Sequence, residues 1–131
     1  MKKGFITNIE KETIENTDYR RVLYTGEFSQ LVVMNLQSGE EIGAEVHNGI
    51  DQFIRVEQGS AKVVLNGNQE HDLPAEHSVI IPAGVEHNVI NVGVEELKLY
   101  SIYSPAEHKD GTVHKTKADE KEEHFDGVTT E

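Results

Sequence analysis

Between Arg21 and Tyr103 no segment sustains a 3.6-residue apolar period over ten residues. Short apolar runs are instead cut by turn residues at intervals of roughly ten, the rhythm of an all-β sandwich or barrel. "RRVLYTG" ends at Gly26, "SQLVVMNLQSGE" turns at Ser38-Gly39, and "QFIRVEQGS" ends at Gly59. "AKVVLNGNQE" turns at Asn66-Gly67, a hairpin signal. "HSVIIPAG" breaks at Pro82-Ala83-Gly84, "HNVINVG" at Gly93, and "LKLYSIYSP" at Pro105. Several runs alternate. Gln52, Ile54 and Val56 oppose Phe53, Arg55 and Glu57, and Leu97, Leu99 and Ser101 oppose Lys98, Tyr100 and Ile102.

The flanks read differently, and three parts are expected: residues 1–20, a barrel over 21–105, and a polar acidic arm over 106–131. Edge strands are expected around Phe5-Ile6 and Tyr19 to Tyr24. In the arm, Thr116 is placed to cap a short helix over Lys117 to His124, with Asp119 at the capping-box position. Only Val113, Phe125 and Val128 offer apolar anchors, so a loosely attached arm, or one docked on a partner subunit, is expected.

Composition narrows the function classes. The chain has 131 residues, which favours one domain, and no cysteine, which excludes disulfides and zinc–thiolate sites. Net charge is −12, with 24 acidic and 12 basic residues and no basic patch, so nucleic acid is not an expected partner. No window has the ~18 apolar residues of a membrane span, and "MKKGFITNIEKET" carries no secretory apolar core. A cytoplasmic location is the expectation.

Two stretches carry chemistry. In "EIGAEVHNGIDQF", Glu45 and His47 are two residues apart and leave the same face of a strand. Gln52 opens the next run on the face of Ile54 and Val56, so the three side chains are expected to converge across a hairpin. Polar groups on an inward face need partners, and a metal ion is one. In "IIPAGVEHNVIN", Pro82 and Gly84 make a corner, and His87 starts a strand on the face of Val89 and Asn91. His71, His77 and His124 read as surface groups; His108 and His114 either reach a barrel mouth from the arm, their own or a neighbour's, or stay solvated, and solvated positions are the expectation.

Together these stretches resemble the two motifs of the cupin superfamily. Gly39 opens the first motif and Gly59 closes it; Glu45 stands at its first histidine position, His47 at the second, and Gln52 at its glutamate position. In the second, Glu76 replaces the opening glycine, while Pro82, Gly84, His87 and Asn91 match. The resemblance covers about Gln30 to Tyr103. "RRVLYTG", "EVH", "PAGVEHNVIN" and "YSPAEHKDGTVHKTK" also look like a bacterial group of small cupins labelled mannose-6-phosphate-isomerase-like.

The resemblance implies a double-stranded β-helix, a jelly-roll barrel whose mouth holds one divalent ion: Mn, Fe, Zn, Ni or Co. Carried over by position, the ligands are Glu45, His47, Gln52 and His87. The carboxylate is moved from 52 to 45, so the charge of the set is kept. The alternative is a metal-free polar mouth in which Gln52 bonds Glu45. Three functions follow: a metal-dependent isomerase acting on a small sugar-like molecule, an Fe(II) dioxygenase, or a non-catalytic small-molecule binder. A phosphosugar would want a cation at the mouth, and Arg21, Arg55, Lys62 and Lys98 are available. By analogy with small cupins a homodimer is expected.

Overall fold

A computed structural model describes residues 1–131. It contains helix α1 (Ile9–Glu15) and nine strands: β1 (Arg20–Thr25), β2 (Gln30–Leu36), β3 (Asp51–Gln58), β4 (Ser60–Leu65), β5 (Gln69–Pro74), β6 (Ser78–Ile81), β7 (His87–Asn91), β8 (Leu97–Ser104) and β9 (Val113–His114). They form a six-stranded sheet, β6-β3-β8-β2-β1-β9, and a three-stranded sheet, β5-β4-β7. Every strand pairing is antiparallel.

Alternation sets the inward face. Gln52, Ile54 and Val56 of β3 are buried, as are Leu97, Leu99, Ser101 and Tyr103 of β8. Fifteen buried residues from both sheets form one core. The same alternation puts Tyr103 inside and leaves Tyr100 half-buried beside Phe53, with ring centroids 6.1 Å apart. The β4–β5 turn uses Asn66 and Gly67 with φ of 54° and 79°, values that favour these residue types.

Two motif positions have a conformational reason. Gly59 has φ +91°, and a Cβ there would stand 2.8 Å from the Glu96 carbonyl oxygen. No other residue fits both constraints without a shift. Glu76 stands where the family motif has glycine and still takes φ 69°. Left-handed backbone costs a side-chain-bearing residue about 1 kcal/mol.

The flanks depart from expectation. Phe5-Ile6 is not a strand, and the ordered element before β1 is α1. Asn8 caps it, its side chain accepting the Lys11 N–H at 3.1 Å, with Glu10 and Glu12 in the first turn. Seven residues with one buried contact, Thr13, are too few to print a helical period on the sequence. The helix packs on β2, β3 and β8 and accounts for the burial of Lys98, whose ammonium donates to the Ile14 carbonyl.

The arm is neither loose nor mainly helical. Helix is limited to a 3-10 turn at Lys117–Asp119, where the Thr116 N–H donates to Asp119 Oδ2 at 3.0 Å. The arm folds back on its own barrel through polar contacts. In β9, Val113 and His114 pair with Arg21 and Arg20 of β1. Lys117 donates to the carbonyls of Glu41 and Ile42, at 2.5 and 3.2 Å. Glu120 meets Arg20 at 2.7 Å, and the Thr130 N–H donates to the Thr25 carbonyl at 2.9 Å. Gln30, 1% exposed, ties the root of the arm to β2. Its Oε1 accepts the N–H groups of Glu107 and His108, at 3.2 and 3.0 Å, and its Nε2 donates to the His108 carbonyl at 2.7 Å. Of the expected apolar anchors, Val113 and Val128 are exposed.

Candidate metal centre

Glu45 and His47 do not lie in a regular strand. Their segment is held by single bridges, Glu41 to Ile90 and Glu45 to His87. The second bridge is reciprocal: Glu45 N–H to the His87 carbonyl at 2.8 Å and His87 N–H to the Glu45 carbonyl at 2.9 Å. The Pro82–Gly84 corner holds the other end, with the Gly84 N–H (φ +83°) donating to the His47 carbonyl at 2.9 Å. Strand β7 and the corner thus position both stretches at once.

These contacts bring Glu45, His47 and His87 together, with one potential ligand atom from each within 4.8 Å of the others. The imidazole centroids of His47 and His87 are 5.0 Å apart. His87 Nδ1 lies 3.0 Å from the Val85 carbonyl. Donation there places the proton on Nδ1 and leaves the lone pair on Nε2, the tautomer a metal ligand requires. That Nε2 is buried and without a hydrogen-bond partner. His47 Nε2 is also unpartnered, since Glu45 Oε2, 3.0 Å away, lies off its N–H axis. Two buried imidazole nitrogens facing a carboxylate are the donor set a borderline divalent ion takes.

Gln52 is buried on the inner face of β3, its Nε2 donating to Ser101 Oγ at 3.3 Å and its Oε1 without a partner. It does not bond Glu45 as the metal-free alternative supposed. His71 and His77 are exposed.

The arm supplies what the sequence reading missed. Glu107 Oε2 lies 3.5 Å from His47 Nδ1, on the side away from Glu45, and its Oε1 accepts from His124 Nδ1 at 3.0 Å. A carboxylate on the far nitrogen is the usual device for orienting a metal-binding histidine. Burial opposes charge on His47, but Glu107 and Glu45 together lift its pKa to about 9. Burial also opposes charge on Glu107, yet His47 and His124 hold it below the ordinary carboxylate range. His108 was expected in solvent. It packs edge-on against Tyr103, 5.0 Å between centroids, and burial followed by the Arg20 charge pushes its pKa down to about 3. His114, also expected in solvent, is 8% exposed.

Barrel mouth and arm flank a half-open cavity of about 460 Å³ lined by Arg20, Glu45, His47, Glu107, His108 and the arm segment from Glu120 to His124. His87 and Gln52 are buried and do not line it. None of the four cations named from sequence reaches it. Arg21 pairs with Glu12 and Asp18, Arg55 with Glu57, and Lys62 with Glu70, while Lys98 lies under α1. Arg20, one position earlier in an alternating strand, does reach it.

Residues 32–103 match the family described as the cupin domain. This chain is a cupin. It is 44% identical over 122 residues to the Bacillus subtilis protein YrkC, covering 89% of this chain and 66% of that protein. A protein of the Acanthamoeba polyphaga mimivirus is 41% identical over 112 residues, covering 83% and 70%. The chain thus spans about two-thirds of the length of these relatives. Among solved structures, a Bacillus halodurans protein superposes with TM-score 0.87 at 45% identity, covering 89% of this chain and 92% of that one. KdgF from a Halomonas species superposes with TM-score 0.61 at 21% identity, covering 70% and 79%, a likeness of fold alone. No helix of the cupin is long and apolar enough to cross a membrane.

Proposed function

We propose that this cupin is a metal-dependent enzyme that isomerises a small, sugar-like molecule in the cavity between barrel and arm. One observation carries the reading: Glu45, His47 and His87 converge within 4.8 Å, with both imidazole Nε2 atoms buried and unpartnered. These three residues would hold one divalent ion, and Gln52 Oε1 is the fourth candidate donor. Such an ion supplies Lewis acidity toward a carbonyl or a pair of neighbouring hydroxyls. The protein's own part is orientation and shielding. Glu107 lies against the His47 ring, the Val85 carbonyl orients His87, and the arm flanks the mouth. A cavity of about 460 Å³ suits a ligand of sugar size.

The decisive experiment begins with elemental analysis of tag-free protein before and after loading with Mn(II), Fe(II), Co(II), Ni(II) or Zn(II). Loaded protein is then incubated with aldoses and ketoses in deuterated water. Metal uptake and deuterium at the carbon beside the carbonyl are expected. Absence of metal after every loading would sink the reading. Two imidazoles and one carboxylate also suit Fe(II) oxygen chemistry, which is the second reading. Oxygen uptake by the Fe(II) form, without deuterium exchange, would favour it.

A further inference from the structure

The cavity holds one buried guanidinium, and its bonding is incomplete. Arg20 is 3% exposed, yet its Nε is without a partner. Its Nη1 meets Glu120 Oε2 at 2.7 Å and His114 Nδ1 at 3.3 Å. Glu120 therefore takes one prong of a fork that matches a carboxylate with two. Glu120 belongs to the arm, its side chain is 32% exposed, and it follows the 3-10 turn. Two more buried groups able to donate stand unpartnered near this guanidinium. They are Tyr19 Oη, whose ring centroid is 5.2 Å from Arg20 Cζ, and His108 Nε2, whose ring feels the Arg20 charge.

We propose that Arg20 is an anion subsite for the carboxylate of a sugar-acid-like ligand, and that Glu120 occupies it in the free protein as an internal stand-in. A ligand carboxylate displaces Glu120, takes both prongs of the fork, and leaves its hydroxyl-bearing chain directed into the cavity shared with Glu45 and His47. The lining carries five glutamates, Glu45, Glu107, Glu120, Glu122 and Glu123, against Arg20 and Lys121 as permanent cations. That balance favours a singly charged carboxylate over a doubly charged phosphate. The assignment rests on the cavity being the substrate site, but not on which metal it holds.

Calorimetric titration of the full chain, metal-free and Mn(II)-loaded, with gluconate and its uncharged analogue sorbitol tests this. Gluconate binds about tenfold more tightly than sorbitol. Glu120→Gln, which removes the competing carboxylate, raises gluconate affinity by about threefold and leaves sorbitol unchanged. Arg20→Gln, checked for folding by circular dichroism, removes the preference. Equal binding of the two polyols overturns the assignment, as does no gluconate binding to either wild type or Glu120→Gln. So does a Glu120→Gln variant that fails to gain affinity, or a preference that survives in Arg20→Gln. Tighter binding of glucose 6-phosphate than of gluconate overturns the choice of carboxylate. Failure to take up Mn(II), with the gluconate preference intact in metal-free protein, counts against the metal reading alone. Mn(II) uptake without the preference counts against the subsite alone.

Discussion

The two walls of the cavity are built on different principles. The barrel wall carries Glu45, His47 and His87, held by reciprocal backbone bonds to β7 and by the corner at Gly84. Its functional atoms are left free because backbone does the positioning. The arm wall carries Glu107, His108, Glu120 and His124, and its side chains both hold the arm and face the cavity. Glu107 sits between His47 and His124, and Glu120 between arm and Arg20. A wall whose fasteners are also its functional groups is expected to respond to ligand, pH and salt. A wall fastened by backbone is not.

The largest effect should come from the barrel wall. His47→Ala combined with His87→Ala should lower divalent-metal affinity by more than about a thousandfold with the fold intact, since two of three donors go. Competition with a chelating dye and circular dichroism measure the two quantities. A variant that still loads metal would move the centre elsewhere.

Acid should act on the arm wall. Above its unfolded pKa His108 is neutral in both states. As pH falls from about 6.5 toward the folded value of about 3, only the unfolded chain gains the proton, so folding stability is lost across that window. Replacing it, His108→Gln, should spare roughly 3 kcal/mol of the stability that wild type loses between about pH 7 and about pH 4. Urea midpoints at the two pH values give the number. An unchanged loss would mean that His108 is not held neutral.

Glu107→Gln crosses from one wall to the other. It keeps the shape but withdraws the carboxylate behind His47, so metal affinity should fall about 10- to 100-fold. No change would make the arm a cover alone and sharpen the division between the walls. The smallest effect belongs to the barrel frame. Glu76→Gly should stabilise by about 0.5–1 kcal/mol, relief at φ 69° being partly offset by a freer unfolded chain, with metal affinity unchanged. Chemical denaturation reports it.

The barrel wall was legible in the residues because β structure writes itself locally. Alternation assigns faces, Asn66-Gly67 and Pro82-Ala83-Gly84 mark turns, and the spacing of Glu45, His47 and His87 follows from those strands and corners. Even the move of the carboxylate from 52 to 45 could be read, though only the fold leaves Gln52 Oε1 buried and unpartnered. Of the arm wall, only the option that His108 reaches the mouth was legible. Its residues are charged, which by composition reads as solvated chain, and its partners lie about a hundred positions away: Glu120 on Arg20, His114 opposite Arg20. Charges state that a segment prefers water or an opposite charge, and nothing in their order says which. The tertiary fold made that choice by bringing Gln30 to the root of the arm and Arg20 to the cavity edge. The sequence by itself determined a barrel with a metal-type donor set. Only the folded chain decided that the arm lies over it, because Arg20 and His47 meet Glu120 and Glu107 there, partners that no local pattern specifies.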